Sequence, residues 1–253
     1  MTPVIPAIRN YLKHTLLHGR ATEKKPADAY DLWASGYDCQ PGNLMIELDA
    51  KIFSQLLEKV DLANRFVADI GCGTGRHWAE IWEKNPSGLT GFDVSGGMLN
   101  KLKAKFPGAN VQQVSDDGLP GVPDDLYDMI ISTLTIAHIE NLEYALSAWC
   151  RIAKPDAGMI ITDFHPRMLA FGGKRTFKDG NRLVSVQNYV HHIATIKYML
   201  YEYGFHVIAE QEISIDETVK HYYESQNALP VYEQYKGCPV IYGIHLKRGD
   251  DIK

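Results

Sequence analysis

From Arg65 onward the chain alternates short apolar runs with stretches whose apolar residues recur every three or four positions. The runs Phe66–Ile70, Leu89–Val94, Val111–Val114, Tyr127–Ser132, Met159–Phe164, Phe205–Ile213 and Val240–Leu246 have the length and composition of buried strands. Helical patterns end near Lys84 and Phe106, and two more span Asn141–Ala153 and His192–Tyr203. Buried strands alternating with helices predict an α/β fold: a doubly wound, Rossmann-like, seven-stranded and mostly parallel sheet with helices on both faces. The connection after Phe164 is long and holds Gly172, Gly173, Asp179 and Gly180, so an insertion, expected as a hairpin, occupies about residues 165–190.

Two helical patterns precede this core and predict an N-terminal helical lid over residues 1–60, leaving 61–253 as the ligand-binding domain. Ile8, Leu12, Leu16 and Leu17 share one face of the first; Leu44, Leu48, Ile52, Phe53, Leu56 and Leu57 line the second, from about Asn43 to Val60. The first 25 residues carry five basic side chains against Glu23 alone, which also suits a membrane surface; packing over a domain's mouth is the commoner use of such a helix.

Composition narrows the function classes. The 253 residues are 45% hydrophobic and 23% charged, as in a globular protein, and the net charge of −5 gives no footprint for nucleic acid. Cys39, Cys72, Cys150 and Cys238 are scattered without a C-x-x-C pair, so neither a disulfide framework nor a metal cluster is indicated. No apolar run approaches the roughly 18–20 residues of a membrane span, nor does the N-terminus read as a leader. The expectation is a cytoplasmic protein with reduced thiols.

The sharpest chemical signal is Val67-Ala-Asp-Ile-Gly-Cys-Gly-Thr-Gly75, a strand breaking into glycines and then a helix. Glycines let the backbone turn tightly and approach a ligand, in front of a helix's unpaired amides. A dinucleotide fingerprint would need its third glycine at Arg76; the spacing here is G-x-G-x-G. Asp93 closes the second strand, where a carboxylate can accept from both hydroxyls of a ribose. Together they point to a nucleoside-bearing cofactor.

The string Asp69-Ile-Gly-Cys-Gly-Thr-Gly75, with Gly91-Phe-Asp-Val-Ser95 and Met98-Leu99, resembles the class I S-adenosylmethionine-dependent methyltransferases, in particular the small-molecule branch similar to ubiquinone/menaquinone methyltransferases. The likeness runs from about Tyr30 to Phe164. It includes Tyr30-Asp-x-Trp-Ala-x-x-Tyr-Asp38, Leu119-Pro120, Asp128 and Lys154-Pro155. The resemblance implies that S-adenosylmethionine is bound and leaves as S-adenosylhomocysteine. Asp69 would order the loop from Gly71 through Cys72 and Gly73 to Gly75, the loop would lie against the methionine part, and Asp93 would hold the ribose. Met98 would pack on adenine or serve as core, with Val94 and Thr133 at neighbouring strand ends, while Tyr37 and Trp33 would close over the cofactor or pack as plain helix residues. The family's acid for the adenine amine falls on Ser115 here, with Asp116 and Asp117 next, so one of these acids or the Asp116 amide takes that contact.

For chemistry, ligands of doubly wound sheets sit beyond the carboxyl ends of the strands, which offer His138 after the fourth and His165 after the fifth. Asp163 and His165 are two apart on an extended segment, so the carboxylate is placed to orient the imidazole of a base; strand-end hydrogen bonding is the plainer role. His191 and His192, and the tyrosines from Tyr222 to Tyr242, are further candidates for an acceptor wall or for ordinary packing. Ser132-Thr-Leu-Thr135 lacks the Pro-Pro-aromatic run of adenine-amine methyltransferases, no paired-glutamate loop of arginine methyltransferases is present, and the cysteines do not reproduce an arsenite site. A small organic acceptor, methylated at oxygen, nitrogen or carbon, remains. A nicotinamide oxidoreductase and a non-catalytic cofactor-binding partner subunit are the competing classes.

Overall fold

The structure, a computed structural model, describes residues 21–115 and 117–249. The first predicted helix lies outside these residues; Thr22–Lys24, at the edge of that pattern, form a short strand, β1. Helix α1 (Pro26–Trp33) follows, with proline in its first turn where no amide bond is lost. Helix α2 (Leu44–Glu58) starts at Asn43, whose side chain accepts from Ile46 N at 3.3 Å.

The core then alternates as the pattern predicts: β2 (Phe66–Ile70), α3 (Trp78–Glu83), β3 (Gly88–Asp93), α4 (Gly96–Lys105), β4 (Asn110–Gln113) and β5 (Tyr127–Thr133). After a 3-10 turn at Ile136–His138 come α5 (Leu142–Ile152) and β6 (Ala153–Phe164). Ser95 and Asn141 cap α4 and α5 by accepting from Met98 N and Tyr144 N. The insertion contains α6 (Pro166–Ala170) and the antiparallel hairpin β7 (Thr176–Asp179) and β8 (Arg182–Val186). The chain closes with α7 (Ile193–Glu202), β9 (Phe205–Ser214), α8 (Lys220–Ser225), α9 (Leu229–Tyr235) and β10 (Pro239–Arg248).

Seven strands form the main sheet in the order β4-β3-β2-β5-β6-β10-β9, parallel except for β10, which runs antiparallel to both neighbours. Alternate side chains of each central strand bury on opposite faces. Ile130 and Ile161 join Leu146, Trp149 and Leu200 on one side; Ile131 and Ile160 join Ile52, Phe53, Leu57 and Trp78 on the other. The order reverses between β2 and β5, which opens a crevice beyond their carboxyl ends.

A second, three-stranded sheet sits at that crevice. β1 pairs in parallel with β8 of the hairpin, Thr22 against Val184 through Lys24 against Val186. The small sheet packs on α1 through Trp33, Phe177, Val184 and Val186, and Met98 of α4 completes the cluster. Trp33 and Phe177 stack with centroids 4.5 Å apart. Among the described residues no helix is long and apolar enough to cross a membrane.

Candidate active site

The glycine turn gives each glycine a different duty. Gly71, Gly73 and Gly75 all have positive φ, near +74°, +53° and +70°. A Cβ on Gly71 would run into Thr135, and one on Gly75 would lie 2.9 Å from Leu102 Cγ, so these two are required by packing. At Gly73 a Cβ would meet nothing within 4 Å. That open side belongs to a cleft lined by the glycine turn, the ends of β2, β3 and β5, and residues of α1 and the hairpin segment. Leu134, on the same wall, holds a left-handed φ of +53°, a strained backbone of the sort that gathers at functional sites.

Two aspartates fix this wall. Asp93 Oδ2 accepts from Gly73 N and Oδ1 from Ser95 N, both at 2.8 Å. Burial pushes its carboxyl up to about 6, against the pull of the Ser95 and Gly73 amides. Asp69 accepts from the Trp78 indole at 2.8 Å and is pushed up to about 7 by burial, the indole opposing. Cys72, Val94, Met98, Asp117 and Thr133 also line the cleft. Ser115 lines an adjoining pocket that shares Val94 and Asp117 with it, whereas Asp116 lies outside the described residues. Burial pushes the Cys72 thiol well up, so it stays protonated.

Helix α1 is fastened over the opening by the polar members of its own motif. Asp31 accepts from Ser95 Oγ at 2.6 Å and Gly97 N at 2.8 Å. Just past α1, Asp38 accepts from Thr74 Oγ1 at 2.6 Å and pairs with Lys105 at 3.1 Å. Behind the glycine turn, the buried Asp49 of α2 accepts from Arg76 at 2.7 Å, from His77 at 2.9 Å and from Thr162. Burial alone would raise the Asp49 carboxyl, but Arg76 and the His77 bond outweigh it and hold it well below the ordinary carboxylate range. Arg76, in the slot of a third dinucleotide glycine, is thereby a cation of the cleft wall.

The opposite wall joins His138, a candidate read from the sequence, to Tyr30 and to Arg175, which the sequence did not single out. Tyr30 Oη lies 2.9 Å from His138 Nε2, and His138 Nδ1 lies 2.9 Å from the Gln187 carbonyl. A carbonyl only accepts, so Nδ1 carries the hydrogen and Nε2 accepts from Tyr30. Burial, followed by the field of Arg175, pulls His138 down to about 4. The imidazole is neutral at physiological pH and weakly basic. Beside it, Arg175 stands among the rings of Tyr30, Trp33 and Tyr37, its guanidinium carbon 5.6–5.9 Å from their centroids.

His165 and Asp163 do not form the expected pair. The chain leaves the strand at His165, which caps α6: Nδ1 accepts from Arg167 N at 3.2 Å and Nε2 faces Glu212 at 3.3 Å. Asp163 instead accepts from Ala137 N at 2.8 Å and Phe164 N at 2.6 Å, anchoring the turn that carries His138. Burial pushes its carboxyl up to about 7. Neither residue lines the cleft. His191 bonds the Ile139 carbonyl, and Tyr232 and Tyr242 are buried in the cores on either side of the sheet, so these candidates pack as structure.

Comparison with known proteins agrees with this geometry. Residues 68–161 match the family model of a methyltransferase domain. The ubiquinone/menaquinone biosynthesis C-methyltransferase UbiE of Campylobacter jejuni is 33% identical over 108 residues, which is 40% of this chain and 45% of that one. The chain thus spans about half the length of the curated relatives it matches. An S-adenosylmethionine-dependent methyltransferase from Mesorhizobium loti superposes with a TM-score of 0.58 at 17% identity, over 78% of this chain and 97% of the other. The complex of DhpI with SAH does so with a TM-score of 0.60 at 16% identity, over 88% and 95%. At such identities these two likenesses speak for the fold.

Proposed function

We propose that this chain, a class I S-adenosylmethionine-dependent methyltransferase by its domain, transfers a methyl group to an oxygen, nitrogen or carbon atom of a small organic molecule by in-line displacement. The observation that carries the reading is the pairing of Gly73 and Asp93 on one wall of the cleft. The glycine leaves open space where a ligand's backbone-facing edge fits, and the carboxylate beside it retains acceptor capacity for ribose hydroxyls. The same cleft joins the glycine turn and the ends of β2, β3 and β5 to Tyr30, His138 and Arg175, so a cofactor seated on the turn would share it with an acceptor.

When bound, S-adenosylmethionine supplies a methyl group on a sulfonium, activated for displacement. The chain's own residues bind and position. Asp93 holds the ribose, Gly71 through Gly75 receive the amino-acid portion, and Val94 and Met98 flank the base, with Asp69 and Trp78 bracing the turn behind them. The wall of Tyr30, His138 and Arg175 faces the acceptor. Neutral, pinned His138 holds the Tyr30 hydroxyl in one orientation, and that oxygen's lone pairs remain to accept from an acceptor's O–H or N–H. Aligning donor and acceptor supplies the larger part of such a reaction's acceleration, and a neutral amine needs no base. The small acceptor and a cytoplasmic location are consistent with the net charge of −5 and the scattered thiols.

Incubation with methyl-labelled S-adenosylmethionine and panels of quinols, amines and thiols tests this. The reading predicts label in at least one small acceptor, reduced by Asp93→Ala when the cofactor is below saturation. Label appearing only in nucleic acid or protein contradicts the small-molecule assignment.

A further inference from the structure

Arg175 enters the cleft from the segment before β7, and among the described residues it has no ion-pair partner there. Arg65, Arg76 and Arg151 each pair with an aspartate. Among the described residues no carboxylate pairs with Arg175, and its guanidinium makes one hydrogen bond, from Nη2 to Tyr37 Oη at 3.2 Å. A guanidinium has five N–H donors. The rings of Tyr30, Trp33 and Tyr37 stabilise the cation through their π faces but accept nothing from the remaining N–H groups. Asp163, whose charge acts on Arg175, already accepts from Ala137 and Phe164 amides. Arg175 is half-buried at the cleft with most of its N–H donors unused by the protein, so they are free to meet a ligand there.

We infer that Arg175 is a carboxylate-recognition residue and that the methyl acceptor carries a carboxylate, which docks against the Arg175 fork beside Tyr30 and Tyr37. The planar fork suits bidentate contact with a carboxylate. This inference rests on the methyltransferase reading of the cleft. A carboxylate could also come from the cofactor's own amino-acid tail. Of the two arginines lining the cleft, Arg76 is held by Asp49 and Arg175 has no carboxylate partner among the described residues; the two arms of the test below separate the acceptor from the cofactor's tail.

The test uses the full chain saturated with S-adenosylhomocysteine, titrated with acetate, butyrate, benzoate and glycine and with the neutral amide of each. At least one carboxylate should bind ten- to a hundredfold more tightly than its amide, roughly the loss expected for charge-assisted bonds, and the preference should vanish in Arg175→Gln. In parallel, the affinity ratio of S-adenosylhomocysteine to methylthioadenosine, which lacks the amino-acid tail, should be the same in wild type and variant. That ratio also serves if the variant loosens α1, because both ligands then weaken together. Carboxylates and amides binding alike, or neither binding, overturns the inference, as does a ratio that collapses in Arg175→Gln, which would give the guanidinium to the cofactor. Wild-type protein that takes up no S-adenosylhomocysteine would overturn the methyltransferase reading itself.

Discussion

Tyr30 and His138, 108 positions apart in the chain, meet at 2.9 Å across the mouth of the cleft, the tyrosine donating to the imidazole. This bond ties α1 to the turn after β5. Tyr30→Phe removes the donor to the half-buried Nε2, and should cost about 0.5–1.5 kcal/mol in urea unfolding. Amide exchange in α1 should also quicken relative to α5. Unchanged stability and exchange would show that the bond does not hold α1.

The ribose contact proposed for Asp93 carries a pH dependence of definite sign. Its carboxyl, held up to about 6 in the free protein, is partly protonated below neutrality. Ribose hydroxyls donating to it favour the ionised form, so binding releases protons and affinity for S-adenosylhomocysteine should rise as pH is raised through about 6. Calorimetry in buffers of different ionisation enthalpy should record proton release there. Affinity independent of pH across that window, or tightening on acidification, contradicts the assignment.

The glycines of the turn should separate binding from folding. Gly73→Ala places a methyl in the open cleft, at about 1–3 kcal/mol of backbone strain, and should sharply weaken S-adenosylhomocysteine binding in a folded protein. Gly75→Ala adds overpacking against Leu102 to similar strain, so its main effect should be a lower thermal midpoint. Equal effects of the two on affinity and on stability would refute the division of duties.

The sheet and the glycine turn were legible because their signals are local. Apolar runs mark the strands, and G-x-G-x-G followed by Asp93 marks one wall of the cleft. On the opposite wall His138 was legible as a strand-end histidine, but Arg175 was not, since it acquires its meaning only when β8 pairs with β1 and brings the hairpin onto Trp33 and Tyr37. The motif around Tyr30 was visible, but its bonds to Ser95, Thr74 and His138 join segments far apart in sequence. Spacing misled at Asp163 and His165: the alternation rule holds within a strand, and Pro166 turns the chain into α6 at that point.

His165 therefore behaves as a helix cap. His165→Ala should lose about 0.5–2 kcal/mol of stability while S-adenosylhomocysteine affinity and turnover on an authentic acceptor stay within severalfold. A hundredfold fall in turnover at intact stability would return it to the role of base.

The most direct test of the whole account is calorimetric titration of the intact chain with S-adenosylhomocysteine and, separately, with NADH. The account predicts one S-adenosylhomocysteine site per chain, weakened severalfold to a hundredfold by Asp93→Ala as ribose hydroxyls lose their acceptor, and no tight NADH binding. Tight NADH binding without uptake of S-adenosylhomocysteine would contradict it.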